Sequence, residues 1–244
     1  MKVKLIAHTP DPELLVAIAA KLCYSDCDID QLMEAQTEEG VKKFIEKLAS
    51  MGHESLLEHA VFTFAIEDVS RSLLAQFTRH RIASYSVQSQ RYVNMQNAKC
   101  VIPPVIQEDE KILELYAKAS QLSFLAYGEL LHEIAHKYIE QGMNEKDATK
   151  KAQEDARFVL PNSCGTRMIV TMNARSLLNF FNIRCCNRAQ WEIRELADAM
   201  LGIVKQVAPN IFKYADPDCM TGKCGEGAMS CRHPRKEELL NGQA

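Results

Sequence analysis

Apolar and polar residues alternate at the start of the chain, with Val3, Leu5 and Ala7 set against Lys2, Lys4 and Ile6. That alternation predicts a first strand over residues 2–8. Asp11 followed by Pro12 is a helix start: a residue able to cap, then a proline where the backbone N–H has no partner to lose. Leu14, Leu15, Ile18 and Leu22 supply that helix with an apolar stripe. The helical period returns over residues 39–51 through Val41, Phe44, Ile45 and Leu48. Residues 60–67, AVFTFAIE, are β-branched and aromatic and predict a strand. Helical spacing resumes from Ser70 through Leu73, Leu74 and Phe77, then runs into a polar stretch with no stripe. Residues 107–141 predict one long helix or two, and residues 144–159 another, ended by Pro161. Residues 168–172 predict a short strand, and residues 174–183 and 188–206 two further helices.

Strands and helices do not alternate regularly, and no glycine-rich turn follows a strand. Both facts argue against a doubly wound dinucleotide fold of the Rossmann kind. The pattern predicts an α+β class, with a mixed or antiparallel sheet packed by helices in a single domain. After Pro217 the composition shifts to Gly, Cys and Lys. Residues 1–216 are therefore expected to form the domain and residues 217–244 a Cys/Gly-rich tail.

Composition narrows the function classes. The chain has 244 residues, 47% hydrophobic and 25% charged, enough to bury a core without disulfides or metal. A net charge of −3 gives no global attraction to a nucleic acid polymer or a membrane, so any anion site must be local. The N-terminal apolar run is too short for a secretion signal and is interrupted by His8, Pro10 and Pro12. No window approaches the roughly 18 apolar residues of a membrane span. A cytoplasmic location is expected. Nine cysteines, an odd number irregularly spaced, argue against a disulfide framework and for reduced thiols acting as small hydrophobes.

The candidate chemistry begins in residues 76–92, QFTRHRIASYSVQSQRY. Arg79, His80, Arg81 and Arg91 accompany Ser84, Ser86, Ser89, Gln76, Gln88 and Gln90. In an extended segment Ser89 and Arg91 share a face. Guanidinium and hydroxyl groups suit a phosphate, and Gln side chains suit a base edge of mixed polarity. Taken alone, the segment reads as a solvated surface loop. Arg157 then follows, beside Phe158-Val159-Leu160-Pro161. Next comes NARSLLNFFNIR, in which Arg175 and Asn179 share a helix face while Leu177, Leu178 and Phe181 take the opposite one. Alone, that is an amphipathic helix with a polar outer face. A third piece is GHESLLEH, residues 52–59. Its Ser55 and Glu58 have capping-box spacing, and alone it is a helix start.

Two other patterns compete. His132, Glu133 and His136 form HExxH on a predicted helix, the spacing of a zinc metalloprotease, with Glu154 or Asp155 as conceivable third ligands. No glycine and histidine follow at metzincin spacing, and the bland reading is the polar face of a long helix. Cys219, Cys224, Cys231 and His233 have the ligand types of structural zinc without the spacing of a common finger, and would make the tail a metal-stabilised interaction module.

Taken in order, the pieces resemble one family. GHES and EH, then Arg79-His80-Arg81, the intervening IASYSVQ and Ser89, then RFVLP, NARSLLNF, Arg184 and AQWEIR follow the pattern of the flavin-dependent thymidylate synthases over about residues 50–215. The resemblance implies an α+β protomer in a homotetramer with active sites shared between subunits. It implies a flavoprotein methyltransferase of nucleotide biosynthesis that converts dUMP to dTMP, using methylenetetrahydrofolate, FAD and NADPH. Carried over by position, FAD would meet Ser55, Glu58, Arg79, His80, Arg81, Asn173, Arg175 and Asn179. dUMP would meet Gln76, Arg79, Val87, Gln88, Ser89, Gln90, Arg91, Arg157 and Arg184. His53 would lie near flavin and folate. Arg184 is the expected catalytic residue, polarising the uracil, and Ser89 is expected as a ligand rather than a nucleophile. No metal is assigned. The chain departs from the family at Val87, where many members carry an acidic residue. It departs again at Arg188, where many carry His; here Arg188 is expected to strengthen the local positive field or take over a folate contact.

Overall fold

The computed structural model describes residues 1–51, 53–220, 222, 224–233 and 235. Gly52 of the GHES motif and residues 221, 223, 234 and 236–244 of the expected tail lie outside the described residues.

The chain is mixed α and β, around a four-stranded antiparallel sheet in the order β1-β2-β4-β3. The strands are β1 (Lys2–His8), β2 (Val61–Ser70), β3 (Ser84–Val87) and β4 (Gly165–Asn173). The expected α+β class is what the structure has. Helices α1 (Pro12–Leu22), α2 (Ile29–Glu34) and α3 (Glu38–Met51) and a 3-10 turn (Glu54–His59) lie between β1 and β2. Helix α4 (Arg71–Phe77) follows β2. Helices α5 (Pro104–Gln107), α6 (Glu110–Glu140) and α7 (Glu145–Ala156) lie between β3 and β4, and α8 (Ala174–Arg184) and α9 (Trp191–Val207) follow. The chain divides into two compact units. One comprises residues 1–66, 76–85 and 169–244, and the other residues 67–75 and 86–168. Strands β2, β3 and β4 pass from one unit into the other.

The first unit is built on a chain of aromatic contacts. Phe62 meets Phe212 edge-on at 5.4 Å, Phe212 meets Phe181 at 6.0 Å, and Phe181 meets Phe180 at 5.6 Å. Phe180 reaches Phe77 at 5.0 Å, and all five rings are fully buried. Such rings bury much apolar area and prefer the tilted and edge-on arrangements seen here. Helix α1 buries Val16, Ala17 and Ala20, whereas Leu15 and Leu22 of the expected stripe stay exposed. The small residues let α1 pack against α3 and the 3-10 turn. Asp11 does stand at the head of α1, but in the left-handed region and with no side-chain cap bond. The expected helix start at Ser55 is a 3-10 turn with no side-chain cap.

In the second unit α6 is one helix, with Asp109 capping its start through the Ile112 N–H. Gly142, at φ +90°, takes the left-handed conformation that ends it, and Asn144 caps α7 two residues later. The core between them gathers Met95, Tyr127, Leu131, Ala152, Ala156 and Cys164. Tyr127 is fully buried, and its hydroxyl oxygen accepts the Met95 N–H at 3.3 Å. HExxH lies on the outer face of α6. His132 contacts its neighbour Glu133 at 3.2 Å and His136 contacts Glu140 at 3.6 Å, all four side chains being well exposed. Among the described residues no three His, Cys, Asp or Glu side chains assemble as a metal-ligand set.

The tail is not detached over its described part. Asp218 accepts from Asn182 at 2.9 Å, His233 O accepts from Asn187 at 2.9 Å, and Glu226 pairs with Arg188. Arg235 is buried, donating to Cys185 O at 2.8 Å and pairing with Asp198 at 2.6 Å. Tyr127→Phe strips the acceptor from a buried N–H. Such a loss costs about 1–3 kcal/mol, and urea unfolding of the variant should show a destabilisation of that order; an unchanged midpoint would refute the assigned bond.

Candidate active site

In the first unit the site is assembled at the end of α4. Its last turn continues into Arg79 and His80 through the Arg79 N–H to Gln76 O (3.3 Å) and the His80 N–H to Phe77 O (3.1 Å). Tyr85, arriving on β3, lashes this turn down: its hydroxyl proton is shared between Phe77 O at 2.9 Å and His80 O at 3.0 Å. The Tyr85 ring lies edge-on to Phe77, and burial pushes its hydroxyl pKa up to about 12. It is thus a neutral donor throughout the ordinary pH range.

Phe180 closes one side of His80, edge-on at 5.0 Å. Arg184, the last residue of α8, comes to the imidazole, and its Nε donates to His80 Nε2 at 3.1 Å. An accepting Nε2 requires a neutral ring with its proton on Nδ1. Burial holds the His80 pKa down to about 4, with the Arg184 and then the Arg79 charge adding to the effect. Arg184 itself is lowered by burial and by Arg79 but remains a cation. Among the described residues neither Arg79 nor Arg184 has a carboxylate partner. Two cations and a neutral imidazole are thus held together with their charge uncompensated, which favours an anionic ligand.

Elsewhere in this unit, α8 carries a second group. Asn173 Oδ1 accepts the Ser176 N–H at 2.8 Å and so caps the helix, leaving its Nδ2 donors for other use. Arg175 and Asn179 are both exposed, one turn apart. The Arg175 Nη1 donates to Glu58 at 2.7 Å, and its Nε faces Glu54 at 3.5 Å. Ser55, Glu58 and His53 are exposed on the 3-10 turn. His53, Glu54, Asn179, Asn182 and Tyr214 line a cavity of about 340 Å³, toward the small end of the roughly 300–1,000 Å³ usual for ligand sites. Arg81 lies exposed beside Ile82.

The second unit holds the other predicted residues. Val87 ends β3, and the Gln88 N–H bonds to Arg167 O at 3.0 Å. Ser89 turns the chain: its Oγ accepts the Arg91 N–H at 3.2 Å, and its carbonyl accepts the Val93 N–H at 3.1 Å. Gln90 is buried and donates to Cys164 Sγ at 3.8 Å. Arg91 and Arg157 converge on Glu154, Arg91 on the carboxylate at 3.8 Å and Arg157 on the carbonyl at 3.1 Å.

Several of these partners carried no signal in the sequence. Tyr85 stood in the polar stretch with nothing to mark its carbonyl partners. Phe180 reads as ordinary helix core. Glu154, weighed in the sequence as a zinc ligand, instead anchors two arginines. Arg188 pairs with Glu226 of the tail, a partner that the sequence did not mark. Cys185, next to Arg184, is fully buried and its thiol is pushed well up by burial and by Asp198.

The depressed His80 pKa has a consequence with a definite sign. The unfolded chain takes up this proton near 6.5 and the folded chain only near about 4. Between the two the unfolded state binds more protons, so stability falls as pH falls through that window. An NMR titration of the His80 ring should give a midpoint near about 4, and Arg184→Leu should raise it by removing one repelling charge. A wild-type midpoint at 6.5 would overturn the assigned contact.

Comparison with known proteins bears directly on this arrangement. The family described as thymidylate synthase complementing protein matches residues 4–210, so the likeness reaches the N-terminal strand and helices as well as residues 50–215. A flavin-dependent thymidylate synthase of Clostridium tetani is 54% identical over 231 residues, covering 95% of this chain and 93% of its own. One of Geobacter sulfurreducens is 49% identical over 233 residues, covering 95% and 94%. One of Pyrococcus horikoshii is 41% identical over 236 residues, covering 93% and 90%. With such identity over nearly the whole length of both partners, the chain belongs to the flavin-dependent thymidylate synthase family and is an enzyme of that class.

Proposed function

We propose that this enzyme methylates dUMP to dTMP, taking the carbon from methylenetetrahydrofolate and the reducing equivalents from NADPH through FAD. The observation that carries the reading is the hydrogen bond from Arg184 to a neutral His80, beside Arg79 and with no carboxylate to balance the charge.

The donor chemistry of the first unit fits a flavin dinucleotide. Arg79, Arg81 and Arg175 offer guanidinium groups for phosphate, and Ser55, His80, Asn173 and Asn179 offer neutral polar groups. Glu58 orients Arg175 through their ion pair. That pair is exposed on both sides, so it is weak enough to rearrange around a ligand. Bound FAD supplies hydride storage and transfer. His53, on the cavity wall, is available to the flavin and the folate.

For the nucleotide, Arg91 and Arg157 converge as phosphate donors, with Gln76 and Arg79 beside the flavin group. Ser89 accepts a backbone N–H and retains its own proton for donation, as a ligand does; among the described residues no base is bonded to its hydroxyl to make it a nucleophile. Val87 can serve only through its backbone, as can the chain at Gln88. Arg184 is the activating group. With Nε committed to His80, its Nη groups remain to meet the uracil, and a cation there favours the N3-ionised form and pushes electron density to the attacking carbon. His80, held neutral, orients Arg184 without adding a third charge.

Exposed Leu115 and Leu122 share a face of α6, which supports packing against further copies in a homotetramer with shared sites. No described helix is long and apolar enough to cross a membrane, which suits the cytoplasmic setting of nucleotide synthesis. The decisive assay is tritium release from C5-labelled dUMP with FAD, NADPH and methylenetetrahydrofolate present or singly omitted; no release under any condition would sink the reading. Arg184→Ala should lower turnover roughly 100-fold or more while bound-flavin absorbance is kept. Equal loss of flavin would move Arg184 from activation to cofactor binding.

A further inference from the structure

Cys100 and Cys164 face each other across an isolated antiparallel bridge in the second unit. The surrounding hydrogen bonds define the pairing. The Gly165 N–H donates to Lys99 O at 2.7 Å, and the Val101 N–H donates to Ser163 O at 2.8 Å. These bonds flank the two cysteines and do not join them. The backbone groups of Cys164 go elsewhere, its N–H to Pro161 O and its carbonyl to the Arg71 N–H. Such a non-hydrogen-bonded pair brings Cα atoms closest, to about 4.5 Å, inside the roughly 4.4–6.8 Å that a disulfide requires. Gly165 independently marks the close approach, because a Cβ there would stand 2.8 Å from Lys99 O. Both thiols are free, Cys100 partly exposed and Cys164 buried.

The pair is linked to the proposed nucleotide site by one contact. Cys164 Sγ is the acceptor that holds the buried Gln90 side chain. Gln90 follows Ser89 and precedes Arg91. Rotating Cys164 Sγ toward Cys100 would take that acceptor away and leave a buried amide without its partner.

We propose that Cys100 and Cys164 are a redox-modifiable dithiol, closed to a disulfide by a low-molecular-weight disulfide such as oxidised glutathione, and that closure releases Gln90 and weakens dUMP binding. The second half rests on the nucleotide reading given above. Chemically, the accessible Cys100 thiolate attacks one sulfur of the oxidant and expels one thiolate. Cys164 then gives up its proton and attacks the Cys100 sulfur, expelling the second. Two cysteine thiols are oxidised and one small disulfide is reduced to two thiols. Burial pushes the Cys164 thiol up, with the neighbouring Cys100 adding to it and Arg71 and Gln90 opposing it, which leaves the first attack to Cys100.

The test uses the full chain. Reduced protein is incubated with oxidised glutathione, alkylated and digested without reductant, and the peptides are mapped by mass spectrometry. A peptide linking Cys100 to Cys164 is expected from the wild type and is lost in Cys100→Ser and in Cys164→Ala. A glutathione adduct resting on Cys100, or a link from Cys100 to another cysteine, would overturn the pairing. Calorimetry with dUMP reads the consequence. The cross-linked wild type should bind roughly 10-fold more weakly than the reduced form, the scale of one buried hydrogen bond. Cys100→Ser should bind like the reduced wild type and ignore the oxidant. Equal affinity of the two wild-type forms would overturn the release of Gln90. If the reduced wild type fails to bind dUMP, the nucleotide reading fails, and the peptide map still decides the disulfide.

Discussion

Phe180 touches both Phe77 and His80, and much of the first unit's chemistry depends on that double contact. It joins the hydrophobic core to the imidazole that accepts from Arg184. On the core side it continues a line of rings through Phe181 and Phe212 to Phe62 on β2. On the site side it removes water from one face of His80, and burial is the largest cause of that residue's depressed pKa. A ring so held stays neutral and presents a lone pair where an exposed histidine would present a proton. The packing of a buried helix face thereby decides the protonation state of a polar group at its end.

Charge is sorted in a way that the total of −3 conceals. Arg188 and Arg235 are bound to Glu226 and Asp198 and fasten the described tail segment onto the loop after α8 and onto the middle of α9. Arg175 is bound to Glu54 and Glu58 and fastens α8 to the 3-10 turn. Arg79 and Arg184 have no such partner among the described residues, and they repel each other. Clustered cations left alone cost stability, so their placement favours an anion between them. Pairing therefore distinguishes arginines whose charge is balanced within the fold from Arg79 and Arg184, where composition had counted them alike.

The fold was legible where local pattern and tertiary burial agree. β1, α3, α6 and α7 fell close to their expected bounds, and in α3 the apolar period is the face it buries, with Val41, Ile45 and Leu48 inside. β4 runs three residues earlier than expected, because Gly165, Thr166 and Arg167 are polar or small yet still alternate inward and outward in the ladder. β3 was hidden inside RHRIASYSVQSQRY because four residues of Ser, Tyr, Ser and Val carry too little apolar signal; their pairing with β4 makes them a strand. α1 was found but its face was misjudged: close packing chose Ala17 and Ala20 over Leu15 and Leu22. α2 passed unnoticed, although Asp28 and Gln31 form a full capping box around its short span.

By itself the sequence determined which residue types were present and in what order, and the order of GHES, RHR, Ser89, Arg157, NARS and Arg184 was enough to identify the family. Those motifs are local strings, and their side-chain chemistry is written in them. What the sequence left open was partnership. Arg184 and His80 are 104 residues apart in the chain, with β3, α5 to α7 and β4 between them, and only folding brings the Arg184 Nε to that imidazole. Nor did the sequence show that the Ser89 hydroxyl accepts the Arg91 N–H. Residues 79–91 read alone as a surface loop, yet Tyr85 ties one end to the last turn of α4 and Gln90 is buried beside Cys164 at the other. Hydrogen bonds and burial are properties of pairs brought together from distant parts of the chain, and pairs of that kind exist only in the tertiary structure.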